Sequence, residues 1–356
     1  MGAQMLPPFG WQAVFGQWAF SPVVTGLVVV LAVLYLEGAW RVARRHPARP
    51  WPWWRTGMFL GGLAVIVLAT ESGIGVYDDV LFWDHMIQHL MLIMIAPALL
   101  VAGAPVTLLM HASRNPLHTW VKRVVRSRMI RGLTWPAFGV AAYTVTIVGT
   151  HLTGLMNVIM TNPALHDGEH ALYLVVGYLF FLPLLGREPI RWRLSYPVRL
   201  LVLFLTMPVD TFTGLALGYS NSPVKDMGPR PSWAPSPVND LHSGGAVMWI
   251  AGDAIMFALM MLVFLAWSRD GGTLGSGRGW LESARRSSFA SLTGAGAAGS
   301  PDAAGTAGAP QSAGTAAART RADDRTIDDD EHLAAYNEFL ARINAAEIRE
   351  TGRKPG

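Results

Sequence analysis

The chain has 356 residues, 51% of them hydrophobic and 15% charged, with a net charge of +4 and no cysteine. Ordinary soluble domains carry roughly 25% charged residues, and the apolar residues here fall in blocks of membrane length. The composition therefore describes an integral membrane protein, all-α, with a bundle of about seven transmembrane helices. The missing cysteine excludes disulfides, thiolate metal sites and cysteine nucleophiles. The basic residues sit between apolar blocks, where topology accounts for them, so the partner they indicate is the lipid bilayer and no nucleic acid.

Residues 1–20 are uncharged and aromatic (Phe9, Trp11, Phe15, Trp18, Phe20), a composition suited to the membrane interface and without the basic region and cleavage site of a signal peptide. Spans are expected over 22–40, 56–70, 82–105, 134–160, 168–185, 197–219 and 242–267. Basic clusters follow the first, third, fifth and seventh, for example Arg41, Arg44 and Arg45, or Lys122, Arg123 and Arg126. The alternate loops carry Glu71, Asp78, Asp79, Asp167, Asp226 and Asp240. The positive-inside rule then puts the N-terminus outside and the C-terminus in the cytoplasm of a multi-pass protein of the cell (plasma or inner) membrane.

The membrane domain is expected over 1–270. Residues 271–327 are dominated by Ala, Gly, Ser, Thr and Pro, a composition too poor in bulky apolar groups to form a core, and read as a flexible cytoplasmic linker. Residues 328–356 form a short cytoplasmic tail. It opens on Asp328, Asp329, Asp330 and Glu331 and then places Leu333, Tyr336, Leu340 and Ile343 at helical spacing, as an acidic helix would.

The stretch FWDHMIQHLMLIMIAPALLVAGAP, 82–105, holds the first chemical signal. His85 and His89 are four apart, so on a helix they share one face. His166 and His170 repeat the spacing at the start of the fifth span. With the topology above, both pairs and His242 lie at the outer membrane face, whereas His46, His111 and His118 fall in cytoplasmic loops and His332 in the tail. His151 is expected about 13 Å deep in the fourth span, level with Asp210, with Asp253 about 16 Å deep. Ionisable groups within a span face a partner or a watery cavity, so two layers are expected: outer histidines, and a deeper group of His151, Asp210 and Asp253. Imidazole suits Cu, Zn, Ni and Fe, and thioether suits Cu(I). Met86, Met156, Met160, Met227 and Met248 fall near the same face, and histidine with methionine and no cysteine fits copper best. Neither pair carries the HExxH order of a zinc protease, since Glu169 directly precedes His170.

The segments HMIQHLMLIMIAPALLVAGAP from His85, THLTGLMN from Thr150, HDGEHALYLVVGYLFFLPLLG from His166, RLSYPVRLL from Arg193 and DLHSGGAVMWIAGD from Asp240 together resemble the polytopic CtaG family of cytochrome c oxidase assembly factors. At His242 the chain departs from many members, which carry a polar amide there. The resemblance implies a non-catalytic role in the maturation of a haem–copper oxidase, with an oxidase subunit as partner and transiently bound copper as cargo. Two other readings of the histidines stay open on sequence alone. One is a haem-b membrane redox protein with haem held between histidines of facing helices. The other is a copper or proton transporter using His151, Asp210 and Asp253, although no inverted repeat is evident.

Overall fold

Pro22 at a helix start and Pro47 just past its end bracket an apolar stretch with Arg44 and Arg45 in its last turn. This produces the first long helix of a computed structural model that describes residues 6–185, 188–192, 194–223 and 230–270. In chain order the elements are α1 (Trp11–Gly16), α2 (Pro22–Arg45), α3 (Trp53–Glu71), α4 (Gly73–Tyr77), α5 (Phe82–Leu90), a π-helical turn (Met91–Ile95), α6 (Ala96–Ala102) and α7 (Pro105–Ala112). They continue with α8 (Leu117–Val125), α9 (Arg128–Leu133), α10 (Pro136–His151), α11 (Leu155–Met160), α12 (Pro163–Leu185), α13 (Tyr196–Gly218) and α14 (Pro237–Arg269). All regular elements among the described residues are helices. The described residues up to Leu265 make one compact unit. The expected linker and tail, 271–356, lie outside the described residues, as do Lys225, Asp226, Met227 and His332.

Six helices among the described residues are long and apolar enough to cross a membrane: Pro22–Arg45, Trp53–Tyr77, Phe82–Ala112, Pro163–Leu185, Tyr196–Gly218 and Pro237–Arg269. The remaining expected span, 134–160, is interrupted. Helix α10 has 16 residues, about 24 Å at 1.5 Å per residue against a hydrocarbon core of about 30 Å. Its end follows from the sequence THLTG. Thr150 Oγ1 donates to the Thr146 carbonyl (2.8 Å) and Thr153 Oγ1 to the Gly149 carbonyl (2.6 Å), while Leu155 N–H donates to Thr153 Oγ1 (3.2 Å) and starts α11. Hydroxyls that take over backbone groups this way compete with helix continuation.

The main core joins α5, the π turn, α10, α12, α13 and α14 through Met86, Leu92, Tyr143, Tyr173, Phe180 and Met256, among others. A second cluster packs α2 on α3, α6 and α7, with Tyr35 stacked on Phe59 at 4.0 Å and donating to the Gly103 carbonyl (2.8 Å). Much of α2 remains apolar and exposed (Val23, Leu27, Val30, Leu34), as a lipid-facing helix must be. Pro97 lacks the N–H that an unbroken helix needs, and the π turn just before it widens the helix where that bond is lost. Helix α12 crosses this point at Gly177, where a Cβ would run into the Ile93 carbonyl. Gly214 and Gly245 let the α13 and α14 backbones meet in the same way.

Candidate metal centre

Three helix ends build the site. Helix α5 lacks a side-chain cap of its own, and Asp240 of α14 supplies one. Its carboxylate accepts from Phe82 N–H (3.0 Å) and Trp83 N–H (3.2 Å) and is held by Arg230 (2.5 Å). That bond fixes where α5 begins and therefore which way His85 and His89 point. Asn162 caps α12, its Oδ1 accepting from Ala164 N–H at 3.0 Å, with Pro163 in the first turn. The i, i+3, i+4 set His166, Glu169 and His170 then shares one face of α12. Helix α10 contributes its last residue, His151.

These side chains meet. The ring centroids of His85 and His89 are 4.0 Å apart with the rings tilted, His85 stacks on His166 at 5.3 Å, and His166 and His170 lie tilted at 4.5 Å. Glu169 Oε2 lies 3.6 Å from His89 Nε2 and 4.0 Å from His85 Nε2. Asp78, from the turn before α5, has Oδ2 3.8 Å from His166 Nε2. Two triads place one ligand atom per residue within 4.8 Å of one another: Asp78, His85 and His166, and His85, His89 and Glu169.

The hydrogen-bond network assigns the tautomers. His151 Nδ1 lies 2.9 Å from the Ile147 carbonyl, which can only accept, so Nδ1 carries the proton and Nε2 a lone pair. That lone pair faces His89 Nδ1 at 3.4 Å, so His89 donates from Nδ1 and its Nε2 is left as a lone pair beside Glu169. Thr150 and Tyr173 close the network behind His151. Gln88 donates from Nε2 to the Ala69 carbonyl (2.9 Å) and to Asp78 Oδ2 (2.7 Å), which turns its Oε1 toward His170 Nε2 at 2.9 Å. His170 therefore donates from Nε2 and orients Gln88, outside both triads. Burial first, then the neighbouring Asp79 carboxylate, push the Asp78 carboxyl well above the usual range, while the bond from Gln88 works against them.

Both ring nitrogens of His85, Nε2 of His89 and of His166, and both oxygens of Glu169 are buried with no hydrogen-bond partner, as are both oxygens of Asp84. An unsatisfied buried polar group costs about 1–3 kcal/mol. Several converging on one point fit a cation, and the donor set of imidazole and carboxylate fits a borderline metal such as copper or zinc.

The structure brings together His85, His89, His166, His170 and His151. His151 joins this cluster rather than a deeper layer with the aspartates, because α10 ends at His151 instead of running on to 160. His242 stands apart, its Nε2 donating to the Ser220 carbonyl at 2.9 Å. The Tyr143 hydroxyl donates to the Asp210 carboxylate, 3.0 and 2.9 Å from its two oxygens, and Asp253 accepts from the Thr211 hydroxyl at 2.7 Å. These two tie α10 to α13 and α13 to α14. Sequence reasoning did not single out Glu169, Asp78 or Gln88 as site residues. The spacing of His166, Glu169 and His170 was the readable signal for Glu169; Asp78 and Gln88 required the fold.

An all-helical bundle with membrane-length helices and a buried histidine–carboxylate cluster at one end defines a polytopic membrane protein with a candidate metal centre. Residues 33–270 match the cytochrome c oxidase caa3 assembly factor (Caa3_CtaG) family, and the chain belongs to it. It is also 30% identical over 263 residues to uncharacterized proteins of Mycobacterium bovis and Mycobacterium tuberculosis, and 28% identical over 266 residues to one of Mycobacterium leprae. These matches cover 71–72% of this chain but 40% of each relative, so the chain spans well under half the length of the curated relatives it matches. No solved structure matches.

Proposed function

We infer that this protein serves the assembly of a haem–copper oxidase by holding copper at the cluster of His85, His89, His166 and Glu169 and passing it to an oxidase subunit, without catalytic turnover. The observation that carries this reading is the convergence of unpartnered buried ligand atoms on one point, in a member of an oxidase assembly family. Ring centroids 4.0–5.4 Å apart suit an ion; a haem macrocycle needs a slot between its axial imidazoles. The opposite end of the bundle carries Arg41, Arg44, Arg45 and Arg55, so the positive-inside rule supports an extracytoplasmic site in the cell membrane.

The test is complementation of a strain lacking the protein. Wild type restores an active oxidase with its full copper content, and His89→Ala inserts into the membrane normally but leaves the oxidase copper-deficient. A fully metallated, active oxidase in the His89→Ala strain overturns the copper reading. A visible spectrum of purified protein checks the haem alternative: Cu(I) protein is colourless, and a Soret band would contradict the proposal.

A further inference from the structure

The two triads differ in their access to solvent. Asp79 stands at the mouth with its side chain 71% exposed, and exposed Asp167 lies nearby. His166, with Nδ1 3.9 Å from Asp79 Oδ1, is 13% exposed, and Asp78 is 4% exposed. His85 and Glu169 are buried at 0% and 1%, and His89 at 4%. His166 is the more open member of the two triads, and His85 and His166 each stand about one turn nearer their helix starts than His89 and Glu169, so ligand atoms run from Asp79 through His166 and Asp78 to His85, and on to Glu169 and His89. The inner end is closed by His151, 3.4 Å from His89. His85 belongs to both triads, and neither of its ring nitrogens has a hydrogen bond to break.

We propose that the cluster is a two-station relay: an ion is captured at an outer station of Asp78, His85 and His166 and moves to an inner station of His85, His89 and Glu169, with His85 holding it throughout. The physical need for a shared ligand is plain. Moving an ion through a buried space without a ligand would strip it of all coordination, and desolvating a bare charge costs far more than any one ligand exchange. With His85 kept, the ion exchanges Asp78 and His166 for Glu169 and His89 one at a time. The relay also explains why carboxylates occur at both depths: each station neutralises part of the cation's charge, and the exposed Asp79 and Asp167 concentrate cations at the entrance. Release to an acceptor follows the same steps in reverse, through His166. The inference rests on the copper-holding reading above and adds a direction and an order to it.

The experiment uses full-length protein in lipid nanodiscs and Cu(I) kept reduced with ascorbate. A chromophoric chelator reports equilibrium affinity by competition, and stopped-flow mixing reports loading and release rates. The relay predicts that His166→Ala slows loading and release at least about tenfold and costs less affinity than Glu169→Gln, because the inner station is intact and its approach is damaged. Glu169→Gln should lose at least about tenfold in affinity yet load its weaker outer station at the wild-type rate. Asp79→Asn, an exposed change with no fold to disturb, should slow loading several-fold without altering affinity. If His166→Ala and Glu169→Gln lose affinity equally and neither changes the loading rate, the cluster is a single site and the relay is wrong. If wild-type protein binds no Cu(I), the copper reading itself fails and the relay with it.

Discussion

Two buried glutamates at opposite ends of the bundle show what separates a structural group from a candidate functional one. Glu188 and Glu169 are equally inaccessible, each 3% exposed. Glu188 caps α7: its Oε1 accepts from Val106 N–H at 3.0 Å and its Oε2 from Thr107 N–H at 2.7 Å and Thr107 Oγ1 at 2.6 Å. Glu169 has no hydrogen bond to either oxygen and faces imidazole nitrogens that also have none. One carboxylate has its desolvation offset by the donors of a helix N-terminus. The other is held against imidazoles in a geometry that a cation would complete. Burial alone does not mark a site; unmet, convergent polarity does.

The contrast can be broken at several points. The largest effect concerns the residue behind the site. His151 fixes the tautomer of His89, and removal of such a supporting bond weakens metal affinity about 10–100-fold. His151→Ala should do so in the chelator competition while leaving stoichiometry unchanged; an unaltered affinity would separate His151 from the centre.

The next pair should shift apo stability in opposite directions. Glu188→Met removes an acceptor from three donors and should cost about 1–3 kcal/mol, leaving copper affinity as it was. Glu169→Met replaces an unpaired buried carboxyl with an apolar side chain of similar size, so apo protein should be as stable as wild type or more so, while copper affinity falls. Thermal unfolding in detergent measures both. Two losses of similar size would mean that Glu169 is structural after all.

A smaller effect is set by pH. Burial raises the Glu188 carboxyl above its usual range despite the bonds from Thr107 and Val106. A group with a raised folded value contributes stability that is present below its unfolded value, about 4.3 for glutamate, and lost as pH rises through the folded one. Wild-type apo stability should carry that decline, and Glu188→Gln should lack it. An identical pH profile in the variant would remove Glu188 from the account. Smallest of all, His118→Ala loses only a bond to the Met110 carbonyl, about 0.5–1.5 kcal/mol. Copper affinity should not move, and a drop would show that the opposite end of the bundle also handles metal.

Much of this was legible in the sequence, for identifiable reasons. Membrane helices announce themselves because the bilayer demands long apolar runs, and the paired HxxxH spacings survive folding because i and i+4 always share a helix face. The fourth span was misjudged in length because hydropathy continues across THLTG, whereas the hydroxyls of Thr150 and Thr153 divert the backbone there. That same stop lifts His151 out of the expected layer with Asp210 and Asp253 and sets it against His89. Asp78 and Gln88 were not legible, since their part depends on the turn before α5 folding back beside α12, a tertiary fact with no local spacing to signal it.

The central claim is that the converging imidazoles hold copper, and the most direct measurement is a Cu(I) titration of the purified full-length protein against its His85→Ala, His89→Ala double variant. His85 serves both triads and His89 provides the lone pair beside Glu169, so the account predicts saturable binding by wild type and at least about a hundredfold weaker binding by a variant that remains folded. Equal stoichiometry and affinity in the two proteins would contradict it.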